Sequence, residues 1–398
     1  MEPAVSISKQ IYWVGMNDRE SRLFESLWPL PQGVCYNSFL IMDEKIALLD
    51  TVKTTSSQGL LSKLRNLIEK GRSIDYLVIH HLEPDHSGSI PILLRVFPGI
   101  TILGTKKTAE FLEHLYNIKD NVKVVSDGDE LVLGKHKLIF KSTPMVHWPE
   151  TMMSYEPNAK ILFSGDAFGG FGALNGGIFD DDVDLDFYED EILRYFSNIV
   201  GKFSSMVQKA IEKLKDYEIR IIASTHGPIW RNDPERIINL YNQWSRQESE
   251  KGIVVAYASM YGNTERMMEA VLRGIIEAGL QCIRVHNVSK SHHSFILRDI
   301  WRYKGLILGS PTYDVKLFPP MESLVRLLSS KMIQNRYVGI FGNYGWSGGA
   351  VKTLKEFVDQ AKLQLVEPAV EARFSAEREQ LDDCFTLGQK VAQLVKND

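Results

Sequence analysis

Residues 81–86 have the sequence His81-Leu82-Glu83-Pro84-Asp85-His86 and follow an apolar run at residues 76–79, with only His80 between them. An apolar run of this length predicts a buried strand. The loop after it then lies at the carboxyl end of that strand, where open α/β sheets bind ligands. Charged and imidazole side chains are costly to bury without partners. We therefore predict a metal site in this loop, which Pro84 and Gly88 keep irregular until a helix starts at Ser89.

Length and composition describe a protein with more than one core. A chain of 398 residues is too long for a single ordinary core and predicts two domains. Its 44% hydrophobic and 24% charged residues are typical of a soluble globular protein. The net charge of -4 offers no basic surface for nucleic acid or an anionic membrane. Neither partner is therefore expected.

The cellular location is predicted from three features: the N-terminal segment, the apolar segments and the cysteines. Residues 1–10 show no basic segment followed by an apolar run, so we expect no signal peptide. No apolar segment is long enough to span a bilayer. The three cysteines, Cys35, Cys282 and Cys384, are far apart in the sequence, which favours a reducing cytoplasm and argues against a cysteine-rich metal site.

A polar stretch at residues 245–252 separates two halves with different patterns. We predict domains at residues 1–250 and 251–398, although a charged helix end inside one domain would look similar. The first half mixes strands and helices and predicts two sheets with outer helices, its strands including residues 11–14, 36–41, 46–49, 137–140, 160–163 and 219–223. The second half alternates regularly and predicts a doubly wound parallel sheet, with strands at residues 253–257, 283–286, 305–308, 338–341 and 363–366.

Three further metal-binding side chains also follow apolar strands. His147, Asp166 and His226 each lie beside a turn-forming residue. Any one of them alone would more often be a cap or a hydrogen-bonding residue, but together with the loop at residues 81–86 their order is specific. His80 is predicted to be structural or to support a ligand, because His80 and His81 point to opposite faces of an extended chain and only one of them can face the metal site.

This order of residues resembles the metallo-β-lactamase superfamily, and one branch of it in particular. Hydrolases of that superfamily carry His-x-His-x-Asp-His and bind zinc, whereas here the second position is Glu83. Carboxylate oxygens shift metal preference from zinc toward iron or manganese. The motif His-x-Glu-x-Asp-His, followed by a flavodoxin-like half, resembles the flavodiiron proteins. The resemblance implies an α/β fold with an N-terminal metallo-β-lactamase-like αββα sandwich and a flavodoxin-like doubly wound parallel sheet.

The resemblance also implies how seven ligands are shared between two irons. One iron would take His81, Glu83 and His147, the other would take Asp85, His86 and His226, and Asp166 would bridge them. Open positions on both irons would let a small diatomic substrate bind.

Several other residues are predicted to have supporting or purely structural roles and not to bind metal. Glu150, Tyr195 and Trp230 could support the ligands, but core packing explains Tyr195 and Trp230 about as well. Residues 180–184 lack the glycine and glutamate of an EF-hand and predict a solvated loop. Five further histidines are predicted to lie at the surface: His114, His136, His286, His292 and His293.

Three loops at one edge of the second sheet predict a flavin site. The first joins a strand to a helix, where hydroxyl and backbone N–H groups can hold a phosphate. The other two add glycines, which allow close approach of the backbone, and aromatic stacking surfaces. Together the three resemble the FMN site of flavodoxins. The predicted FMN residues are Ser259, Met260, Tyr261, Gly262, Asn263 and Thr264; Ser310, Pro311, Thr312, Tyr313 and Asp314; Gly342, Asn343, Tyr344, Gly345, Trp346, Ser347 and Gly348.

The resemblance implies an oxidoreductase in which FMN passes electrons to a diiron site that reduces O2 to water, NO to N2O, or both. The chain has no Cys-x-x-Cys pair, so the electron donor is expected to be a separate protein, with rubredoxin the family's usual one. A head-to-tail homodimer, or a dimer of such dimers, is implied. Two alternatives stay open: a zinc-dependent metallo-β-lactamase-type hydrolase and a non-catalytic flavodoxin-like electron carrier.

Overall fold

The computed structural model describes residues 3–398, so that Met1 and Glu2, where the predicted first domain begins, lie outside the described residues. The chain forms two compact units, Met1–Asn242 and Gln243–Asp398. We call them the N-terminal unit and the C-terminal unit. The exact domain boundary after residue 250 stays a prediction.

The N-terminal unit contains sixteen strands and seven α-helices among the described residues. Its strands are β1 (Val5–Ser8), β2 (Ile11–Trp13), β3 (Met16–Asp18), β4 (Leu23–Phe24), β5 (Trp28–Pro29), β6 (Val34–Tyr36), β7 (Phe39–Met42), β8 (Ile46–Leu49), β9 (Tyr76–Val78), β10 (Thr101–Gly104), β11 (Val122–Val124), β12 (Glu130–Val132), β13 (Lys137–Ser142), β14 (Met152–Glu156), β15 (Ile161–Gly165) and β16 (Ile221–Ser224). Its α-helices are α1 (Ser57–Leu67), α2 (Pro84–Ser87), α3 (Ile90–Val96), α4 (Lys106–Tyr116), α5 (Leu185–Tyr195), α6 (Ser204–Leu214) and α7 (Pro234–Ser245), the last of which runs past Asn242. Short 3-10 turns at Thr54–Ser56 and Gly201–Phe203 and a π-helical turn at Phe196–Val200 complete the set.

Two sheets form the core of the N-terminal unit. The larger has the order β1-β2-β7-β8-β9-β10-β11 and the smaller the order β12-β13-β14-β15-β16. Strands β8 and β15 are buried along their whole length, as expected for strands covered on both faces. Two small two-stranded sheets, β3 with β6 and the β4–β5 hairpin, stand apart from both of these sheets. The predicted metallo-β-lactamase-like arrangement is confirmed.

Parallel pairing brings the predicted ligand loops to common sheet ends. Strand β8 pairs in parallel with β9, with Leu49 opposite Val78. Strand β15 pairs in parallel with β16, with Gly165 opposite Ser224. Because parallel strands end at the same edge of a sheet, the loops that follow β15 and β16 lie side by side.

Three details of the N-terminal unit differ from the prediction. The stretch after residue 83 is not irregular but forms the short helix α2, since Pro84 occupies its first turn, where no N–H is needed. Ser89 precedes the first residue of α3 and serves as its cap residue. His136 is buried rather than exposed, because its ring pairs with the buried carboxylate of Glu156 at 3.1 Å.

The C-terminal unit is a single main sheet with helices. Strands β17, β18, β19, β21 and β22 are all parallel in the order β18-β17-β19-β21-β22, which is the flavodoxin order 2-1-3-4-5. The predicted doubly wound parallel sheet is confirmed. Its strands are β17 (Glu250–Tyr257), β18 (Ile283–Asn287), β19 (Tyr303–Tyr313), β20 (Lys316–Leu317), β21 (Tyr337–Tyr344) and β22 (Gln364–Arg373), and its helices are α8 (Asn263–Glu277), α9 (His293–Arg302), α10 (Pro319–Ser330), α11 (Ala350–Gln360) and α12 (Arg378–Asn397).

Glycines allow α8 and α12 to pack closely. A Cβ atom on Gly274 would lie 2.0 Å from the carbonyl oxygen of Phe385, and one on Gly388 would lie 2.1 Å from that of Val271. Either contact is far below van der Waals distance, so a larger residue would push the helices apart. The two helices cover the same face of the sheet and enclose a buried apolar cluster that includes Ile275 and Val391.

Among the described residues, no helix has both the length and the apolar character needed to cross a membrane.

Candidate metal and flavin sites

The seven predicted metal ligands all lie in the N-terminal unit and all follow strands. Four come from the segment after β9, His147 from the connection between β13 and β14, Asp166 from the end of β15, and His226 from the end of β16. The structure gathers them into two groups, in each of which the candidate ligand atoms lie within 4.8 Å of one another. The first group is His81, Glu83, His147 and Asp166, and the second is Asp85, His86 and His226.

Asp166 faces both groups with its two carboxylate oxygens. Its Oδ2 lies 3.2 Å from Nε2 of His81 and 3.2 Å from Nε2 of His147. Its Oδ1 lies 3.1 Å from Nε2 of His86 and 3.7 Å from Nε2 of His226. One carboxylate thus contacts the first group through one oxygen and the second group through the other.

The chemistry of these groups fits two cations. Both ring nitrogens of His81, both carboxylate oxygens of Asp85 and Oδ2 of Asp166 are buried without a hydrogen-bond partner. Buried polar atoms without partners are costly, and a bound cation would satisfy them. Imidazole and carboxylate together, with no thiolate, form the donor set of non-haem iron and related metals. Ligation of iron by these residues stays a prediction.

Electrostatics in the first group also favour positive charge. Burial lowers the pKa of His81, but the carboxylates of Asp166 and Glu83 outweigh it and raise that pKa well above its usual range. Burial also opposes protonation of His147, yet the nearby carboxylates of Asp166 and Glu83 raise its pKa to about 9. The carboxylates that attract these protons would equally attract a metal ion, which takes their place when it binds.

Neighbouring residues hold the segment that carries His81. The ring of His80 points away from the ligands, with Nδ1 bonded to Asp50 and Nε2 lying 2.6 Å from Oγ of Ser154. Its predicted structural role agrees with this placement. Glu150 is also well placed, because its Oε1 accepts a 2.9 Å hydrogen bond from the backbone N–H of Leu82, between two predicted ligands.

The other predicted supporting residues differ in their contacts. The ring of Tyr195 lies 5.4 Å from that of His226, and its buried hydroxyl has no hydrogen-bond partner. Trp230 is fully buried and pairs through its backbone with Ile222 of β16. Tyr195 therefore lies beside the ligands, whereas Trp230 contributes to the core.

Three residues near the ligands were not identified from the sequence. The carbonyl oxygen of Cys35 accepts a 2.7 Å hydrogen bond from Nδ1 of His226, which leaves Nε2 directed at the ligand group. Thr225 donates a hydrogen bond of 2.5 Å to Oδ1 of Asp166. The ring of Tyr36 contacts the ring of His226, with centroids 5.9 Å apart. Cys35 and Tyr36 lie on β6, far from every ligand in sequence, so no local motif marks them.

A cavity of about 250 Å³ reaches the ligands from the surface of the N-terminal unit. The β4–β5 hairpin forms one wall of this cavity. The volume of the cavity suits small molecules only. Its lining residues are Leu23, Phe24, Glu25, Ser26, Tyr36, Lys53, Glu83, Pro84 and Asp85.

A second cavity, of about 530 Å³, lies in the C-terminal unit at the carboxyl end of its sheet. Twelve of the predicted flavin residues line it, together with Val315 and Phe374, which were not predicted. Its aromatic side chains are open to solvent, with Trp346 89% exposed, and offer stacking surfaces for a planar ring. The lining residues are Met260, Tyr261, Asn263, Pro311, Thr312, Tyr313, Asp314, Val315, Asn343, Tyr344, Gly345, Trp346, Ser347 and Phe374.

Six predicted flavin residues do not line this cavity: Ser259, Gly262, Thr264, Ser310, Gly342 and Gly348. The hydroxyl of Thr264 is buried and donates to Asn343, and that of Ser310 donates to the carbonyl of Pro311. Strands β19 and β21 also run further than predicted, so Ser310 and Gly342 lie within strands instead of loops.

The phosphate-binding part of a flavin site fits the start of α8. Gly262 is the cap residue, with a φ of 89°, and it supplies no side chain to accept the first N–H groups of the helix. Uncapped N–H groups at a helix N-terminus attract anions. This geometry, the cavity volume and the aromatic lining together fit a flavin mononucleotide.

Comparisons with known proteins agree over the whole chain. Residues 34–227 match the family described as ODP family beta lactamase, and residues 255–388 match the flavodoxin family. The chain is 34% identical to a nitric oxide reductase from Moorella thermoacetica, over 98% of this chain and 99% of that protein. Among solved structures it resembles rubredoxin oxygen:oxidoreductase from Desulfovibrio gigas, at 30% identity, 99% coverage of both chains and a TM-score of 0.94. It also resembles the flavodiiron protein of Giardia intestinalis, at 29% identity, with 100% of this chain and 98% of that chain covered and a TM-score of 0.94.

Proposed function

This chain belongs to the flavodiiron protein family, and from that premise we propose that it is an oxidoreductase in which FMN passes electrons to a non-haem diiron site that reduces O2 to water, NO to N2O, or both. The observation that carries the proposal is the pairing of two ligand groups around Asp166 in the N-terminal unit with a flavin-sized cavity in the C-terminal unit. A zinc hydrolase does not require a flavin cavity, and an electron carrier does not require the two groups of metal ligands.

The residues of the N-terminal unit would hold the metals and exclude bulk water. His81, Glu83 and His147 would hold one iron, Asp85, His86 and His226 the other, and Asp166 would contribute one oxygen to each. Two cations held this close repel one another, and the shared carboxylate reduces that repulsion. When bound, the two irons would supply the redox chemistry that reduces a diatomic gas. The small cavity beside Glu83 and Asp85 would admit such a gas and exclude larger substrates.

In the C-terminal unit the chain would bind FMN at the carboxyl end of the sheet. The N-terminus of α8 would hold the phosphate, while Tyr313, Tyr344 and Trp346 would flank the ring system. Bound FMN supplies reversible redox chemistry between an electron donor and the metal site.

The partners follow from the same premise. The name of the Desulfovibrio gigas relative pairs it with rubredoxin, and we propose a rubredoxin-type protein as the electron donor here. A head-to-tail homodimer, or a dimer of such dimers, would let the FMN of one chain face the metals of another. A cytoplasmic location stays a prediction.

Two measurements test the proposal. Protein produced in iron-replete medium should contain two irons and one FMN per chain, which elemental analysis and the absorbance spectrum would measure. Anaerobically prereduced protein should then be reoxidised by O2, NO or both, and the two rates give the preference. Two zinc ions per chain with no flavin would instead identify a hydrolase.

A further inference from the structure

The backbone carbonyls of residues 224–227, which carry His226, are all hydrogen-bonded. Asn37 is the partner of three of them. Its side-chain Nδ2 donates to the carbonyl oxygens of Ser224 at 2.9 Å and Gly227 at 3.0 Å, and its backbone N–H donates to that of Thr225 at 2.7 Å. The carbonyl oxygen of His226 accepts from Oγ of Ser224 at 2.7 Å. One residue of the short connection between β6 and β7 thus binds the ligand loop that follows β16, a strand of the smaller sheet.

The amide of Asn37 is itself held in one orientation. The indole N–H of Trp13 donates to Oδ1 of Asn37 at 2.8 Å, so the amide oxygen faces the indole and the amide nitrogen faces the loop. Both side chains are fully buried, and the ammonium of Lys63 lies 3.9 Å from the centre of the Trp13 ring. Rotation of the amide would place two carbonyl oxygens against an oxygen and would leave the indole N–H without an acceptor.

We propose that Asn37 is a positioning residue for the metal held by Asp85, His86 and His226. The inference rests on the proposed diiron function. A ligand on a short loop is held in place by the groups that bind the loop's backbone, and such supporting contacts typically change metal affinity 10–100-fold. None of the hydrogen bonds described for Asn37 goes to His81, Glu83 or His147, which lie on other segments. Asn37 therefore governs one of the two metal positions.

The test uses metal-free full-length protein titrated with Co²⁺ alone, whose visible absorbance reports occupied sites. The wild type should bind two equivalents. Asn37→Leu keeps the branched shape of the side chain but removes both N–H donors of its amide, so one equivalent should bind as before and the other about 10–100-fold more weakly. Trp13→Phe leaves Asn37 in place but frees its amide to rotate, and should weaken the same equivalent by a smaller factor.

The matched control is His136→Ala, which removes a buried side-chain hydrogen bond of the same unit whose partner, Glu156, belongs to neither ligand group. It should leave both Co²⁺ equivalents unchanged. Equal weakening of both equivalents in Asn37→Leu and Trp13→Phe, or unchanged binding in both variants, would overturn the inference. If Asn37→Leu does not fold, Trp13→Phe alone decides. A wild type that binds fewer than two equivalents would instead count against the proposed diiron function.

Discussion

Two adjacent histidines show how neighbouring groups, more than residue type, decide the role of a side chain. Both ring nitrogens of His80 have protein partners, Asp50 and Ser154, so its ring is committed to the core. Both ring nitrogens of His81 lack such partners although they are equally buried. A motif search identifies the pair, but the alternation of the backbone decides which of them is free to bind metal.

Substitution of Asp166 should lower the iron content of the protein without changing its FMN content. Asp166→Ala removes the carboxylate that contacts both ligand groups, so the protein should lose at least one iron while FMN stays bound, since the flavin cavity is lined only by residues of the C-terminal unit. Iron and FMN contents of the purified variant measure this. A circular dichroism spectrum is the control for folding, because metal binding can contribute to folding itself. Unchanged iron content would show that Asp166 is structural only.

Glu150 offers a matched pair of substitutions. Its Oε1 accepts the N–H of Leu82, and Glu150→Ala would leave that N–H without its acceptor in the segment that carries His81 and Glu83. Iron affinity should fall about 10–100-fold, the usual effect of losing a group that orients ligands. Glu150→Gln keeps an oxygen acceptor and should retain wild-type affinity. Iron retained during dialysis against a graded series of chelator concentrations measures both, and equal loss in the two variants would contradict the role of the hydrogen bond.

At the scale of elements, the strands and their order could be predicted because hydrophobic runs and their alternation with helices are local features. The ends of elements were harder to predict. Strand β19 continues through Ser310 because its residues pair with β21 as far as Pro311, a contact made by a distant segment. Helix α2 was missed because Pro84 ends helices in the interior but suits their first turn.

In the candidate site, the ligands could be predicted from the sequence, whereas the residues that support them could not. The ligand loops carry recognisable residues directly after apolar strands, so their sequence pattern predicts them. The amide of Asn37 donates to a carbonyl of the His226 loop, the carbonyl of Cys35 accepts from His226, and the hydroxyl of Thr225 donates to Asp166. Only the folded arrangement brings these partners together, so no spacing in the sequence indicates them.

Helix α9 provides a test of pH dependence in the C-terminal unit. Burial raises the pKa of Asp299, but hydrogen bonds from His286 and Arg298, both at 2.8 Å, outweigh it and lower that pKa below its usual value. A carboxylate with a lowered pKa stabilises the fold above its unfolded pKa of about 3.9, and this contribution is lost as the pH falls through the folded value. Asp299→Asn should therefore be less stable than the wild type at pH 7, by about 2 kcal/mol.

The measurement is urea unfolding followed by FMN release at pH 7, 5 and 3.5. The deficit of Asp299→Asn should be smaller at pH 3.5 than at pH 5, because the unfolded wild type then binds a proton at Asp299 and the advantage of the folded carboxylate shrinks. A deficit that grows as the pH falls would contradict the assigned direction of the pKa.

At the scale of the whole molecule, the two redox sites lie in different units, so electrons must pass between units within one chain or between two chains. Family membership leads us to expect a head-to-tail dimer with transfer between chains. A lesion in one site can then be rescued only by a partner chain that carries the complementary intact site. Mixed dimers therefore test the assembly and the electron path together.

Two mixed dimers give opposite results for the two paths. In the first, one chain carries His81→Ala and His147→Ala and lacks metal, while the other carries Ser259→Asp and Asn263→Asp, whose added charge repels the FMN phosphate. Transfer between chains leaves one working FMN–metal pair, so this dimer should show donor-driven gas reduction that neither parent homodimer shows. In the second, one chain carries all four substitutions and the other is wild type. Transfer between chains then leaves no working pair, whereas transfer within a chain leaves one. We expect the first dimer to be active and the second inactive when both are purified with two different affinity tags, and the reverse result would refute the head-to-tail arrangement.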